Sequence, residues 1–153
     1  MAMHRLPEGR YFWRMAFTAQ QAEQANALGE QTLVSHLGIL FIVDKSGNLC
    51  ATMPVDRRTV QPMGLLHGGA TAALAETLGS VGSALIVGAA GKDTVGIELN
   101  VNHLKGVRSG VVTATGELLH AGRTTHVWDI KVRNEAGELC AICRLTNLII
   151  ERR

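Results

Sequence analysis

The spacing of apolar and polar residues predicts helices in the first half of the chain. Helix-forming residues run from Thr18 to Leu28, with Thr18 placed to cap the helix and Gly29 to end it. A short helical turn is expected at 33–37. A second, much longer helix is predicted from Gly68 to Val87, where Gly, Ala, Leu and Val dominate.

β-Branched and apolar stretches between turn-forming residues predict the strands. Ile39 to Asp44 and Leu49 to Val55 flank a Lys-Ser-Gly-Asn turn and predict a hairpin. Four more strands are predicted at Thr94 to Leu104, Val111 to Leu119, Thr125 to Val132 and Leu139 to Ile150. Because the connections are short, we expect these four to form a consecutive antiparallel meander.

One long apolar helix packed against one curved antiparallel sheet is an α+β architecture. At this length the simplest organisation is a single domain over residues 18–153. Residues 1–17 precede it as an N-terminal extension to which the sequence assigns no role.

Composition narrows the classes of function. Hydrophobic residues make up 46% of the chain and charged residues 18%, which is typical of a globular protein. The net charge of +2, the absence of Lys/Arg runs and the few aromatic residues argue against nucleic acid as a partner. Residues 1–17 lack the apolar core of a signal peptide, so a cytoplasmic protein is expected.

The stretch from Leu65 to Ala90 is long enough to cross a membrane. It contains Glu76 and many Gly and small polar residues, and no aromatic residues flank it. These features favour a buried helix in a protein without a membrane partner.

The three cysteines give no disulfide framework. Cys140 and Cys143 have the spacing of a redox or metal pair, but they lie inside a predicted strand. Residues three apart on a strand point to opposite faces, which argues against both uses.

Glu76 is the candidate for chemistry. It is the only charged residue between Thr59 and Gly91. Burying an ionised carboxylate is costly unless it is paired, whereas burial makes its basicity and nucleophilicity adjustable. The structural alternative is an acid paired across a helix interface.

The long helix adds a geometric constraint. Gly68 stands at its N-terminus, where free N–H groups and the helix dipole favour a developing negative charge. Glu76 and Ser80 are four residues apart and share one helix face. Gly68 and Glu76 are separated by about 12 Å along the axis. One substrate carbonyl cannot touch both in the same chain, so a site that uses both needs two chains related by a two-fold axis.

Several segments together resemble a known family. They are Gln61 to Gly69 (QPMGLLHGG), Leu74 to Ser80 (LAETLGS), Ala51 to Asp56, Val95 to His103 and Ala121 to Trp128. The chain resembles the hotdog-fold acyl-CoA thioesterases of the phenylacetate-degradation and Arthrobacter-type 4-hydroxybenzoyl-CoA group, and most of all the bacterial 1,4-dihydroxy-2-naphthoyl-CoA thioesterases. This resemblance implies a hotdog fold, in which the sheet wraps the central helix, over roughly residues 28–150.

The resemblance also implies roles for the residues of the motif. Glu76 would be the catalytic nucleophile or general base, and the Gly68 N–H would polarise the thioester carbonyl. Gln61 and Ser80 would position the attacking water or the carbonyl, and His67 would orient the acyl group or neighbouring hydrogen bonds. Two structural alternatives remain open: His67 could only cap the helix, and Ser80 could only allow close helix contact.

The remaining implications concern substrate and assembly. The coenzyme A part of the substrate would lie near His103, Lys105, Arg108, Gly122, Arg123 and Thr124. No metal or separate cofactor is implied. The assembly would be a homodimer or, beyond it, a homotetramer, and the acyl group aromatic or bulky.

Two other functions on the same fold compete with hydrolysis. A hotdog acyl-thioester hydratase would carry an Asp/His pair at the start of the helix, which this sequence lacks. A non-catalytic acyl-CoA-binding or sensing protein would lack the carboxylate of Glu76.

Overall fold

The computed structural model describes residues 2–5, 11–14 and 16–152, with side chains from residue 16 onward. The α-helices in these ranges are α1 (Ala19–Leu28), α2 (Leu33–His36) and α3 (Gly68–Val87), and a 3₁₀ turn at Gly88–Ala90 follows α3. The strands are β1 (Ala2–Arg5), β2 (Tyr11–Arg14), β3 (Leu40–Val43), β4 (Leu49–Pro54), β5 (Lys92–His103), β6 (Val111–Ala121), β7 (Thr125–Asn134) and β8 (Leu139–Glu151).

The predicted helices and strands are confirmed, and the caps explain where α1 begins. The Thr18 side chain accepts from the Gln21 N–H while the Gln21 side chain accepts from the Thr18 N–H, which is a capping box. The C-cap of α1 is Gly29, as its position predicted.

Six strands form one antiparallel sheet in the order β3-β4-β6-β7-β8-β5. The predicted hairpin of β3 and β4 is confirmed. The predicted consecutive meander is wrong for its first strand, because β5 pairs with β8 and not with β6. The outer edge of β6 is occupied by β4, with Cys50 opposite Thr115. The connection from β5 therefore passes the start of α3, where the Leu66 N–H donates to the Val107 carbonyl at 2.7 Å, before β6 begins.

Helix α3 packs on the inward face of the sheet. Leu74 and Leu78 of α3 are fully buried in one core with Trp128 of β7 and Leu145 of β8. α3 and the turn after it are long and apolar enough to span a membrane, but α3 is the core helix of this fold. The predicted α+β hotdog arrangement of a central helix against a curved antiparallel sheet is confirmed.

The N-terminal extension contains a hairpin. β1 pairs antiparallel with β2, with Ala2 opposite Arg14 and Arg5 opposite Tyr11. Residues 6–10 lie outside the described part of the chain. The division into a 1–17 extension and an 18–153 domain stays a prediction.

The three cysteines are free thiols buried in the fold. Burial raises the pKa of the Cys143 thiol to about 11 and also raises the pKa of Cys50. Thiols in such surroundings stay protonated, unlike reactive or metal-binding ones. In the described part of the chain, no group of three or more His, Cys, Asp or Glu side chains is placed to hold a metal.

Candidate active site

The loop before α3 holds Gln61 in a tight turn. The Gly64 N–H donates to the Gln61 carbonyl at 2.9 Å, and the Gln61 N–H donates to the Leu65 carbonyl at 2.8 Å. Gly64 has φ 72°, a conformation that favours glycine. The Gln61 side-chain oxygen accepts from the Met63 N–H. The turn itself therefore orients this side chain.

His67 caps α3. Its Nδ1 accepts from the Gly69 N–H at 2.8 Å, and its carbonyl accepts from the N–H groups of Ala70 and Thr71. The capping alternative is thus the contact that the structure shows. Among the described residues, none accepts a hydrogen bond from the Gly68 N–H. This donor at the positive end of the helix dipole is free for an oxyanion.

A cavity of about 310 Å³ opens beside this helix start, lined by Gln61, Gly68, Thr71 and the end of β5 with its following loop. The structure thereby brings the predicted Gln61 and Gly68 together with His103 and Lys105. A Cβ at Gly68 would lie 2.9 Å from His103 Nε2, so the ring packs directly on the helix start.

The two predicted cations near this cavity already have partners. Lys105 Nζ lies 2.6 Å from Glu138 Oε1, and both side chains are exposed. The Arg108 guanidinium donates to the Met63 carbonyl at 3.3 Å. Both remain at the surface, close to the turn that carries Gln61.

Glu76 lies two turns further along α3 and is partly buried. Ser80 Oγ donates to its Oε1 at 3.3 Å. Burial raises the pKa of the Glu76 carboxyl above its ordinary value of 4.5, and the hydrogen bond from Ser80 opposes part of that rise. The carboxylate packs on Gly96 of β5, where any side chain would overlap Oε1.

The predicted Gly122, Arg123 and Thr124 lie elsewhere in the chain. They form the turn between β6 and β7, where the Gly122 N–H donates to the Thr125 carbonyl at 2.8 Å. The Ile149 N–H donates to the Thr124 carbonyl, which places the turn beside the last residues of β8. β8 pairs there with the start of β5, just after the C-terminus of α3. One chain therefore does not bring this turn to the cavity at the N-terminus of α3.

Sequence reasoning missed three polar residues behind Ser80. Asn147 donates to Ser80 Oγ at 3.0 Å, and Ser83 and His126 lie beyond it. All three are buried. The signal was present in the strands: His126 falls on the same alternate positions as Trp128, and Asn147 on those of Leu145, so both face inward.

Comparison with known proteins agrees with the fold. The model of the Thioesterase superfamily matches residues 63–141. The proofreading thioesterase of Klebsiella pneumoniae is 49% identical over 82% of this chain and 90% of its own length. The 1,4-dihydroxy-2-naphthoyl-CoA hydrolase of Escherichia coli is 44% identical over 90% of this chain and 98% of its own. A crystal structure of a mutant thioesterase from Pseudomonas aeruginosa superposes with a TM-score of 0.82 at 46% identity, covering 91% of this chain and 98% of that one.

The relatives carry the names of thioester hydrolases, in agreement with the enzyme expected from the sequence over the hydratase and the non-catalytic binding protein. Their similarity extends over most of both chains. The chain therefore belongs to the thioesterase superfamily, has its hotdog fold and is a thioester hydrolase.

Proposed function

We propose that this protein hydrolyses an acyl-CoA thioester with an aromatic or bulky acyl group, giving the free acid and coenzyme A. The observation that carries the proposal is Glu76: a partly buried carboxylate of raised pKa, held by Ser80 in a hotdog thioesterase. The name of the Escherichia coli relative, a 1,4-dihydroxy-2-naphthoyl-CoA hydrolase, supports an aromatic acyl group. A coenzyme A substrate fits the cytoplasm expected from the sequence.

Glu76 acts as nucleophile or general base. As nucleophile it attacks the thioester carbon, the coenzyme A thiolate leaves, and water then hydrolyses the acyl-glutamyl anhydride. As general base it takes a proton from a water that attacks the same carbon. Both routes place negative charge on the carbonyl oxygen, which the Gly68 N–H stabilises. Gln61 and Ser80 position the carbonyl and the attacking group.

The site is shared between two chains. Gly68 and Glu76 lie on one helix at about 12 Å along its axis. β5 is a long edge strand whose Val95 and Ile97 are 44% and 56% exposed. Pairing β5 with β5 of a second copy would set the two α3 helices antiparallel, with Gly68 of one chain near Glu76 of the other. This supports a homodimer, and the resemblance to the family extends the proposal to a homotetramer.

The same pairing joins the two parts of the coenzyme A site. His103, Lys105 and Arg108 lie near the N-terminus of α3, and the Gly122–Arg123–Thr124 turn lies near its C-terminus. Antiparallel helices in a dimer bring the first group of one chain toward the second group of the other. Coenzyme A is held as part of the substrate, with its phosphates near Lys105, Arg108 and Arg123.

Glu76→Gln tests the proposal. It nearly conserves shape and removes the charge, so kcat should fall by about 10²-fold or more while KM changes little. Glu76→Asp should also be impaired, because it retracts the carboxylate by about 1 Å. Glu117→Gln, which removes an exposed carboxylate on β6, is the matched control and should keep wild-type rates. A folded Glu76→Gln enzyme with near wild-type kcat on its best thioester would refute the assignment.

A further inference from the structure

A hydrogen-bond chain, that is, a row of side chains linked by hydrogen bonds, runs from the core to the Glu76 carboxylate. Behind Ser80 lies Asn147 of β8, whose Nδ2 donates to Ser80 Oγ at 3.0 Å. Behind Asn147 lies Ser83 of α3, whose hydroxyl donates to Asn147 Oδ1 at 3.2 Å. Asn147 and Ser83 are both 0% exposed. Two elements of the fold, α3 and β8, thus contribute to one line of hydrogen bonds.

The side chains of Trp128 and His126, both on β7, complete the hydrogen-bond chain at Ser83. Trp128 Nε1 donates to Ser83 Oγ at 2.8 Å, and His126 Nδ1 lies 3.1 Å from the same oxygen. An indole nitrogen can only donate. Because Ser83 gives its single proton to Asn147, His126 Nδ1 must also donate. With the Asn147 amide in this orientation, His126 therefore carries its proton on Nδ1.

The surroundings of His126 favour its neutral form. His126 is 3% exposed, and its burial lowers the pKa of the imidazole, with the nearby His120 acting in the same sense. The lowered pKa favours the neutral ring, whose single proton the bond to Ser83 assigns to Nδ1.

We propose that Asn147, Ser83 and His126 are positioning residues for hydrolysis. Each hydrogen bond in this row of side chains donates in the direction of Glu76. Ser80 has one proton, and the bond it accepts from Asn147 leaves that proton for Glu76 Oε1. The chain fixes the rotamer of Ser80 and, through it, one oxygen of the carboxylate. This inference rests on the proposed catalytic role of Glu76.

The direction has an alternative that chemistry distinguishes. If the Asn147 amide were turned over, Asn147 would accept from Ser80 and donate to Ser83. Ser83 would then donate to His126 Nδ1, and the proton of His126 would sit on Nε2. In that arrangement the hydroxyl of Ser80 points away from Glu76. The tautomer of one histidine thus reports the direction of the whole chain.

The first experiment needs no variant. ¹⁵N NMR of the histidine rings in the native protein, with His126 assigned by comparison with His126→Gln, identifies the tautomer. We expect a neutral ring protonated on Nδ1. A neutral ring protonated on Nε2 would overturn the proposal.

The second experiment is kinetic. Asn147→Leu keeps the approximate shape and removes the donor to Ser80, so kcat should fall by about 10-fold or more with KM nearly unchanged. Ser83→Ala, one step further back, should cost less. Ile149→Val is the matched control. It loosens the packing on the same face of β8 at a residue outside the hydrogen-bond chain, and it should keep the wild-type kcat.

The Glu76→Gln background separates the two proposals. If Asn147 acts through Ser80 and Glu76, Asn147→Leu should slow the Glu76→Gln enzyme much less than it slows the wild type. Equal effects in both backgrounds, or a wild-type kcat for Asn147→Leu, would overturn the positioning role alone. A Glu76→Gln enzyme that remained active would instead overturn the proposed function.

Discussion

Glu76 meets two opposing demands at the level of a single residue. In the proposed mechanism its carboxylate must be ionised to attack or to take a proton, yet burial raises its pKa above 4.5. The rate constant kcat/KM should therefore fall as the pH drops through the raised pKa, with the acid limb above pH 4.5. A profile of kcat/KM from about pH 4 to about pH 9 checks this. An acid limb at or below the ordinary value would contradict it.

The raised pKa of Glu76 also makes the stability of the fold depend on pH. Since the folded state binds the Glu76 proton more tightly than the unfolded state, this residue stabilises the fold less as the pH rises from 4.5 through the raised pKa. Glu76→Gln should therefore be at least as stable as the wild type at neutral pH. That advantage should disappear at a pH below 4.5, as urea unfolding at the two pH values would show.

For His67, the contact in the structure differs from the role that the resemblance implies. The resemblance implies an orienting role, whereas the structure shows Nδ1 capping α3 through the Gly69 N–H. His67→Ala should lower the free energy of unfolding by about 1 kcal/mol, a typical loss for a helix cap, and His67→Asn should restore it. Urea unfolding and kcat, measured on both variants, check the role. If His67→Asn restored stability but not kcat, the imidazole would have a further role toward the substrate.

At the level of elements, the local sequence pattern predicted the features that depend on neighbouring residues, such as helix limits and hairpins. The limits of α1 follow from Thr18 and Gly29, and the β3–β4 hairpin follows from its turn. The pairing of β5 with β8 did not follow, because it joins strands far apart in the sequence and depends on β4 already occupying β6. For the same reason the contact of Ser80 with Asn147 was invisible: it spans α3 and β8, and no spacing rule connects them.

The close packing of α3 on the sheet gives a prediction with an internal control. A Cβ at Gly82 would lie 2.8 Å from Cη2 of Trp128, whose ring is fixed by the bond of Nε1 to Ser83. Gly82→Ala should therefore destabilise the fold by about 1–3 kcal/mol, as overpacked cores do. At Gly88 nothing in the described chain lies within 4 Å of the Cβ position, and the backbone is α-helical. Gly88→Ala should stabilise by about 0.4–1 kcal/mol through the unfolded state.

Urea unfolding of the two variants measures both changes. Opposite signs for the same substitution inside α3 and at its C-cap would locate the contact between α3 and the sheet at Gly82. Equal stabilisation of both would mean that α3 packs less closely on Trp128 than the structure shows.

At the level of the whole molecule, the chain contains every part of the proposed site but does not assemble them. Gln61 and Gly68 lie at the N-terminal end of α3, beside His103 at the end of β5. Glu76 packs against Gly96, nearer the start of β5. The exposed edge of β5 is the surface through which a second copy would complete both sites. A dimer would thus be a condition of catalysis, and not only of stability.

Hybrid dimers test this directly. Gln61→Ala and Glu76→Gln chains, each expected to be inactive as homodimers, are co-expressed with different tags and the hybrid is purified through both. If each site takes Gln61 from one chain and Glu76 from the other, the hybrid holds one intact site and should show about half of the wild-type activity. The reciprocal hybrid pairs a wild-type chain with a chain carrying both substitutions. Each of its sites then lacks one group, so it should be inactive. A site built within one chain predicts the reverse: an inactive first hybrid and a half-active second.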